Sequence, residues 1–254
     1  MLKLRRRVKV RLKKRYGQHL LISAGVAKKI LDVAELGDGD VVVEIGPGTG
    51  SLTKEILKTP IKELHCIEID PEMINELKKL EDERLRIHHA DASEFHYCEL
   101  GKELILLGNL PYNVASLIIE RTVFCHHCVK LAVFMVQKEV AEKLIKCSSW
   151  LGCFVNTIFQ INYVMTVPPR FFLPPPKVQS AVIKLVRKEN KTKIDLKKYK
   201  AFLTMLFSFR RKTLRNKLTE DLLQKALVDP LKRVEELSLE EIQRLFFIYQ
   251  LEGT

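Results

Sequence analysis

Asn109, Leu110, Pro111 and Tyr112 stand in the stretch GNLPYNVAS, directly after the apolar run Leu104 to Leu107. An amide, a proline and an aromatic ring at the end of a buried strand suit either a strand-to-helix turn or a pocket for something flat. Three other places along the chain narrow that choice. In VVVEIGPGTGSLT, Val41 to Thr53, a strand delivers Gly46, Gly48 and Gly50 into a turn before a helix. Backbone can approach a ligand there where side chains would block it. The third glycine of a dinucleotide fingerprint would fall at Ser51, so the spacing argues against a nicotinamide enzyme. In CIEID, Glu68 ends a second strand, where a carboxylate accepts hydrogen bonds from both hydroxyls of a ribose. In HADAS, Asp91 follows a third strand and can take a hydrogen bond from an adenine amine. Together these strand ends describe a slot shaped for adenosine.

The elements that must position these residues follow from hydrophobic periodicity. Val41 to Ile45, Leu64 to Ile69, Leu85 to His88, Leu104 to Leu107 and Leu131 to Val136 read as strands, separated by amphipathic helical stretches such as PEMINELKKL. Strands that are apolar nearly throughout, alternating with helices, predict an α/β fold with a parallel sheet covered on both faces. Ligands of such sheets bind at the carboxyl ends of the strands. Beyond this region Trp150 to Phe159 reads as a helix, and Ile161 to Val167 and Val178 to Val186 read as strands joined by the proline-rich PPRFFLPPPK. After about Asp195 short helices follow, the last opened by Ser238 with Glu241 three residues on. The polar segment Arg187 to Asp195 marks a domain boundary, which divides the chain into a basic arm (1–15), a catalytic domain (16–188) and a helical C-terminal domain (189–254).

Net charge is +12, and nine basic residues fall between Lys3 and Arg15 with no acid before Asp32. The excess is therefore an arm, in which Arg5, Arg6, Arg7, Arg11, Lys13 and Lys14 are candidate phosphate contacts, and nucleic acid is the natural partner. A second basic cluster, FSFRRKTLRNKL, puts Arg210, Arg211, Lys212, Arg215 and Lys217 on a short helix. No run approaches the ~18 apolar residues of a membrane span, so a cytoplasmic protein is expected. The six cysteines read as free thiols. Cys125-His126-His127-Cys128 carries metal-type ligands but lacks a second ligand pair in sequence, so it reads as a helix end and loop, and no metal is expected.

In order and spacing, YGQHLL, EIGPGTGSLT, EID, DAS, NLPYNVAS, PPPKVQSAV and FRRKTLRNKL resemble the ribosomal RNA adenine dimethyltransferases, from residue 11 almost to the end. The resemblance implies a Rossmann-like sheet, mostly parallel with an antiparallel last strand, and a small all-α C-terminal domain. It implies S-adenosylmethionine as methyl donor and, for the bacterial small-subunit branch, two adjacent adenosines near the 3′ end of 16S rRNA in the 30S particle as substrate. Residue by residue, the segment of Gln18, His19 and Leu21 would close over the methionine end of that cofactor. Gly46 would lie against it, Glu68 would hold the ribose, and Asp91 with the Ala92 backbone would read the adenine, with Gly48, Ile69 and Asn109 also among the cofactor-binding residues. Many relatives carry asparagine where this chain has His19, and a ring nitrogen or the backbone can make the same contact. Asn109 and the Leu110 carbonyl would accept the two hydrogens of the target amine, with Pro111 bracing the turn. Tyr112 would stack on the base and Phe172 would offer a second slab, against a reading in which Phe171 and Phe172 pack in the core. A monomer is expected. The alternatives are the large-subunit resistance branch of the same family, a non-catalytic assembly or transcription factor on the same scaffold, and a nicotinamide dehydrogenase.

Overall fold

The computed structural model describes residues 19–189, 194–208 and 211–252. Its elements in chain order are β1 (Leu20–Leu21), α1 (Ala24–Ala34), β2 (Val41–Ile45), α2 (Ser51–Ile56), β3 (Glu63–Glu68), α3 (Pro71–Leu77), β4 (Leu85–His89), β5 (Leu104–Asn109), α4 (Ala115–Phe124) and β6 (Val129–Gln137). They continue with α5 (Lys138–Ile145), α6 (Trp150–Ile158), β7 (Phe159–Val167), β8 (Phe172–Leu173), β9 (Ser180–Arg187), α7 (Leu196–Phe207), α8 (Glu220–Lys225) and α9 (Leu239–Glu252).

Seven strands form one sheet in the order β4-β3-β2-β5-β6-β9-β7. The pairs from β4 to β6 are parallel, as continuous apolar strands such as Val42, Val43 and Ile45 require when both faces are covered. The chain's last strand, β9, pairs antiparallel with β6, so the sheet departs from all-parallel in the manner the family resemblance implies. On one face α1 buries Val26, Ala27, Ile30 and Ala34, a helical spacing that turns one stripe onto Ile105, Leu131, Val133 and Val182. Ser23 caps its first turn by accepting from Val26 N–H. Pro71 occupies the first turn of α3 behind the capping side chain of Asp70, as its fixed φ favours.

Contacts group the described residues into two compact units, those of 19–141 with 162–187, and those of 142–161 with 188–252. The segment 142–161, which holds α6, thus belongs with the C-terminal helices, whereas the sequence-based boundary put it in the catalytic domain. The reason lies in its side chains: Phe154 of α6 meets Tyr199 of α7, which packs edge-on against Phe246 of α9 with ring centroids 4.8 Å apart. In α9 the expected capping box is present, Ser238 N–H donating to Glu241 Oε2 at 2.8 Å and Glu241 N–H to Ser238 Oγ at 3.2 Å.

The sulfurs of Cys98 and Cys128 are joined as a disulfide, while Cys66, Cys125, Cys147 and Cys153 are free, which corrects the expectation of six free thiols for one pair. Thirty residues separate the two in sequence, so only the packing of the β4–β5 connection against the start of β6 brings them together.

Close approach of β2 and β5 depends on one glycine. A Cβ added at Gly108 would lie 2.8 Å from Ile45 O and 3.0 Å from Leu110 Cδ2, and the first of these is backbone that cannot rotate away. Gly108→Ala is expected to destabilise the protein by about 1–3 kcal/mol, seen as a lower urea midpoint with unchanged slope. A midpoint equal to wild type would show that β2 and β5 can separate without cost.

Candidate active site

Strand register lines up the residues that matter. In the parallel ladders Ile45 lies level with Ile67 and with Gly108, and Glu68 lies level with His89. The next residues, Gly46 of β2, Glu68 of β3 and Asn109 of β5, therefore share one level at the carboxyl edge, with Asp91 just past β4. Four adjacent strands span roughly 14 Å at the usual spacing. A cleft follows this line and is lined by His19, Leu20, Gly46, Gly48, Glu68, Ile69, Asp91, Ala92, Asn109, Leu110, Pro111 and Tyr112, with Val114 and Ile118 adding apolar surface.

Glu68 organises the middle of the cleft. Its Oε2 accepts from Gly48 N–H at 3.1 Å, and its Oε1 accepts from Ile69 and Asp70 N–H, both at 2.9 Å. Burial pushes the carboxyl above its ordinary value, and the three backbone donors oppose that rise. An ionised carboxylate offers about four acceptor sites, so three backbone donors leave capacity for a hydroxyl of a ligand. Gly46 and Gly48 both have positive φ, 64° and 56°, and a Cβ on Gly48 would come within 2.7 Å of Leu20 Cδ2. The turn thus needs glycine for its conformation, whereas the Leu20 side chain over Gly48 could rotate to make room.

Asp91 is exposed beyond β4, with Oδ1 accepting from Ser93 N–H and Ser93 Oγ. The neighbouring Ala92 carbonyl accepts from the hydroxyl of the buried Tyr97 at 2.6 Å. At the other end the Asn109 amide nitrogen donates to His19 O at 2.7 Å. Since a carbonyl only accepts, that bond sets the amide orientation and leaves Oδ1 as the outward acceptor. Leu110 N–H donates to Met135 O of β6, and Val114 N–H donates to Pro111 O, so the two middle residues of the tetrapeptide are tied down. The Tyr112 hydroxyl is hydrogen-bonded to Ser180 Oγ, and Ser180 is fully buried. Burial raises the Tyr112 phenol above its ordinary value, so it stays neutral and its ring is held at one end.

His19 uses both backbone and side chain. Its carbonyl takes the Asn109 bond, while Nδ1 donates to Pro174 O at 2.8 Å and its ring lies 5.4 Å from that of Tyr112. The bond to a carbonyl places a proton on Nδ1.

Two expectations are corrected by one geometric fact. β1 and β8 pair antiparallel with Leu21 opposite Phe172 and Leu20 opposite Leu173. Residues directly opposite share a face, so Leu21 and Phe172 go together into the core, at 5% and 2% exposure, and Leu20 turns to the cleft. Phe172 is thus a core ring here and not a cleft wall, and Leu20 takes the place expected of Leu21. Phe171 is half-buried with the Arg170 guanidinium over its ring. The basic cluster is corrected too: residues 211–217 form a turn, a bridge from Thr213 to Arg233 and a short 3₁₀ turn at Leu214–Asn216, not an α-helix. Arg211, Lys212 and Arg215 are exposed, whereas Lys217 Nζ donates to Leu206 O near the end of α7. Gln18, Arg5, Arg6, Arg7, Arg11, Lys13, Lys14 and Arg210 lie outside the described residues.

With this geometry in hand, the chain can be set beside known proteins. The model of the family described as ribosomal RNA adenine dimethylase matches residues 9–251. The chain belongs to that family. The ribosomal RNA small subunit methyltransferases A of Sulfurihydrogenibium sp. and Persephonella marina are 45% and 46% identical to it, covering 95% and 96% of this chain and 98% and 97% of theirs. Among solved structures, a dimethyladenosine transferase from Plasmodium falciparum superposes with a TM-score of 0.80 at 27% identity, covering 92% of this chain and 98% of that one. The 23S rRNA methyltransferase ErmE superposes with a TM-score of 0.72 at 25% identity, covering 91% and 99%. Members of this family are methyltransferases, and this chain is an rRNA adenine dimethyltransferase.

Two residues of the site escaped the sequence reading. Ser180 sits in PPPKVQSAV and gave no sign that its hydroxyl would meet Tyr112, 68 residues away. Glu44, inside EIGPGTG, is buried beneath the glycine turn with the Cys66 thiol donating to its Oε2 at 3.6 Å. Burial pushes its carboxyl up to about 7, helped by the charge of Glu68. A carboxyl raised in the folded state stabilises the fold below its unfolded value of 4.5, and that contribution is lost as pH rises through about 7. Relative to wild type, Glu44→Gln is therefore expected to gain stability as pH goes from about 4.5 to 8, measured by urea denaturation at each pH. A difference that does not change with pH would mean that Glu44 is already ionised in the fold.

Proposed function

We propose that this dimethyltransferase binds S-adenosylmethionine along the line from Asp91 to Asn109 and methylates the exocyclic N6 amines of two adjacent adenosines near the 3′ end of 16S rRNA, in the 30S particle. The observation that carries the reading is the Asn109 amide, whose nitrogen is engaged by His19 O and whose oxygen is left as an acceptor one strand away from Gly46.

The residues fit the cofactor. Residual acceptor capacity on Glu68 suits a ribose hydroxyl, Asp91 suits an adenine amine, and Ile69, Val114 and Ile118 supply apolar walls for a ring. Bare backbone at Gly46 and Gly48 admits the methionine end. When bound, the sulfonium would supply an activated methyl group, whose carbon–sulfur bond breaks to release the neutral thioether S-adenosylhomocysteine as the amine takes the methyl. The chain's own residues meet the remaining difficulty, which is that the lone pair of an adenine amine is delocalised into the ring. Asn109 Oδ1 and the Leu110 carbonyl accept the two amine hydrogens, draw the nitrogen toward tetrahedral geometry and aim its lone pair. Tyr112, fixed through Ser180, gives the extruded base a face to stack on. The methylated nitrogen is acidic while positively charged and loses its proton to water, so the site needs no dedicated base.

For the RNA, exposed Arg211, Lys212 and Arg215 and the basic arm supply phosphate contacts. No helix of the described residues is long and apolar enough to cross a membrane.

The test is incubation with tritiated S-adenosylmethionine and undermethylated 30S particles, 50S particles or naked RNA, followed by digestion to nucleosides. Label in dimethyladenosine from 30S alone is the expected outcome. Label in 50S RNA would move the substrate to the large subunit, and no label in any arm would contradict the proposed reaction.

A further inference from the structure

At the end of the sheet away from the cleft, the ligand missing from the Cys125-His126-His127-Cys128 run is supplied by Cys98. Cys128 directly precedes β6, and its carbonyl accepts from Leu104 N–H at 2.8 Å where β5 begins. Cys98 stands in the 3₁₀ turn Tyr97–Glu99, which is held by the fully buried Tyr97 ring and its bond to Ala92 O. The Cα atoms of Cys98 and Cys128 lie 5.4 Å apart, and the two sulfurs and a ring nitrogen of His127 all lie within 4.8 Å of one another. The Arg187 guanidinium donates to the carbonyls of His126 and Val129, and so holds the backbone on both sides of His127 and Cys128.

We propose that, in the reduced protein, Cys98, His127 and Cys128 bind one zinc-type divalent ion, with water in the fourth position. Two thiolates and an imidazole are the donor set such an ion prefers. With metal–sulfur bonds of about 2.3 Å, a tetrahedral ion sets its two sulfurs ~3.8 Å apart. Reduced sulfurs that no longer share a bond move apart to about this contact distance, and the observed Cα spacing lets side-chain rotation alone achieve it. Cys128 is buried, Cys98 half-buried and His127 exposed, so the thiolate end is sheltered and the open position faces water.

Disulfide and metal site exclude each other. Two molecules of a small thiol reduce the bond, leaving as their own disulfide and delivering two protons and two electrons to the cysteines. The ion then displaces both thiol protons into solvent, and its two positive charges balance two thiolates. In either state the β4–β5 connection is fastened to the start of β6, far from the methyl-transfer cleft. The site stands independently of the proposed RNA substrate.

The test uses the full, untagged chain reduced with a trialkylphosphine, which leaves as its oxide, and titrated anaerobically with Co²⁺. One equivalent should bind with near-ultraviolet thiolate-to-cobalt charge transfer and the strong visible bands of a tetrahedral ion, all bleached by equimolar Zn²⁺. The oxidised chain should show neither band, a comparison that needs no variant. Cys98→Ser should lose half or more of the charge-transfer intensity, and the exposed change His127→Ala should lose the tetrahedral visible bands, with far-ultraviolet circular dichroism confirming that both are folded. Absence of charge transfer in the reduced chain, equal uptake by the oxidised chain, or an unchanged spectrum in Cys98→Ser would each overturn the proposal.

Discussion

A single buried carboxylate ties together the parts of this molecule that face its ligand. Glu68 receives backbone N–H groups from both directions, Gly48 from the glycine turn after β2, and Ile69 and Asp70 from its own strand end. Hydrogen bonds to a charged acceptor are stronger than neutral ones, and burial strengthens them further. The cost is visible in the same group, since desolvation raises its pKa against the pull of those donors. Remove the charge and the glycine turn keeps only the Gly46 N–H bond to Ile67 O of β3 and loses the one from Gly48, while the start of α3 loses the support that leads to the Asp70 cap.

Around that anchor, register converts chain order into function. Parallel pairing puts the residue after Ile45, the end of β3 and the end of β5 on one level, so backbone, carboxylate and amide follow one another at strand spacing. Residues along this line are tied by neighbours from outside their own strands: Glu68 by Gly48 N–H, Asn109 by His19 O, Tyr112 by Ser180. Short-range bonds of this kind keep acceptors aimed before a substrate arrives, and such positioning lowers a reaction barrier. Glu44 beneath the turn has a different character, being held near neutral pH by burial and partnered by a thiol.

Much of this was legible in the sequence because the signals are local. Apolar runs and the glycines of GPGTG placed the strands and the turn, Pro71 and the Ser238–Glu241 pair marked helix starts, and strand ends placed Glu68, Asp91 and Asn109. What could not be read depends on partners distant in the chain. The facing of Leu20 and Leu21 is decided by which residue of β8 lies opposite, and a one-residue change of register would exchange them. Cys98 and Cys128, Tyr112 and Ser180, and Phe154 and Tyr199 meet only after the chain has folded. Arg211 to Lys217 have the spacing of a helix face, yet Lys217 is occupied near the end of α7 and Thr213 bridges to Arg233, which bends the segment into turns.

We propose a division of labour along one line of strand ends, with Glu68 holding the cofactor and Asn109 acting on the adenine amine. Calorimetric titration of S-adenosylmethionine into wild type, Glu68→Ala and Asn109→Ala, paired with turnover of each on 30S particles, tests it most directly. The account predicts that Asn109→Ala loses turnover by about 10²–10³-fold while its cofactor affinity stays far closer to wild type than that of Glu68→Ala. Equal loss of cofactor affinity in the two variants would contradict the division.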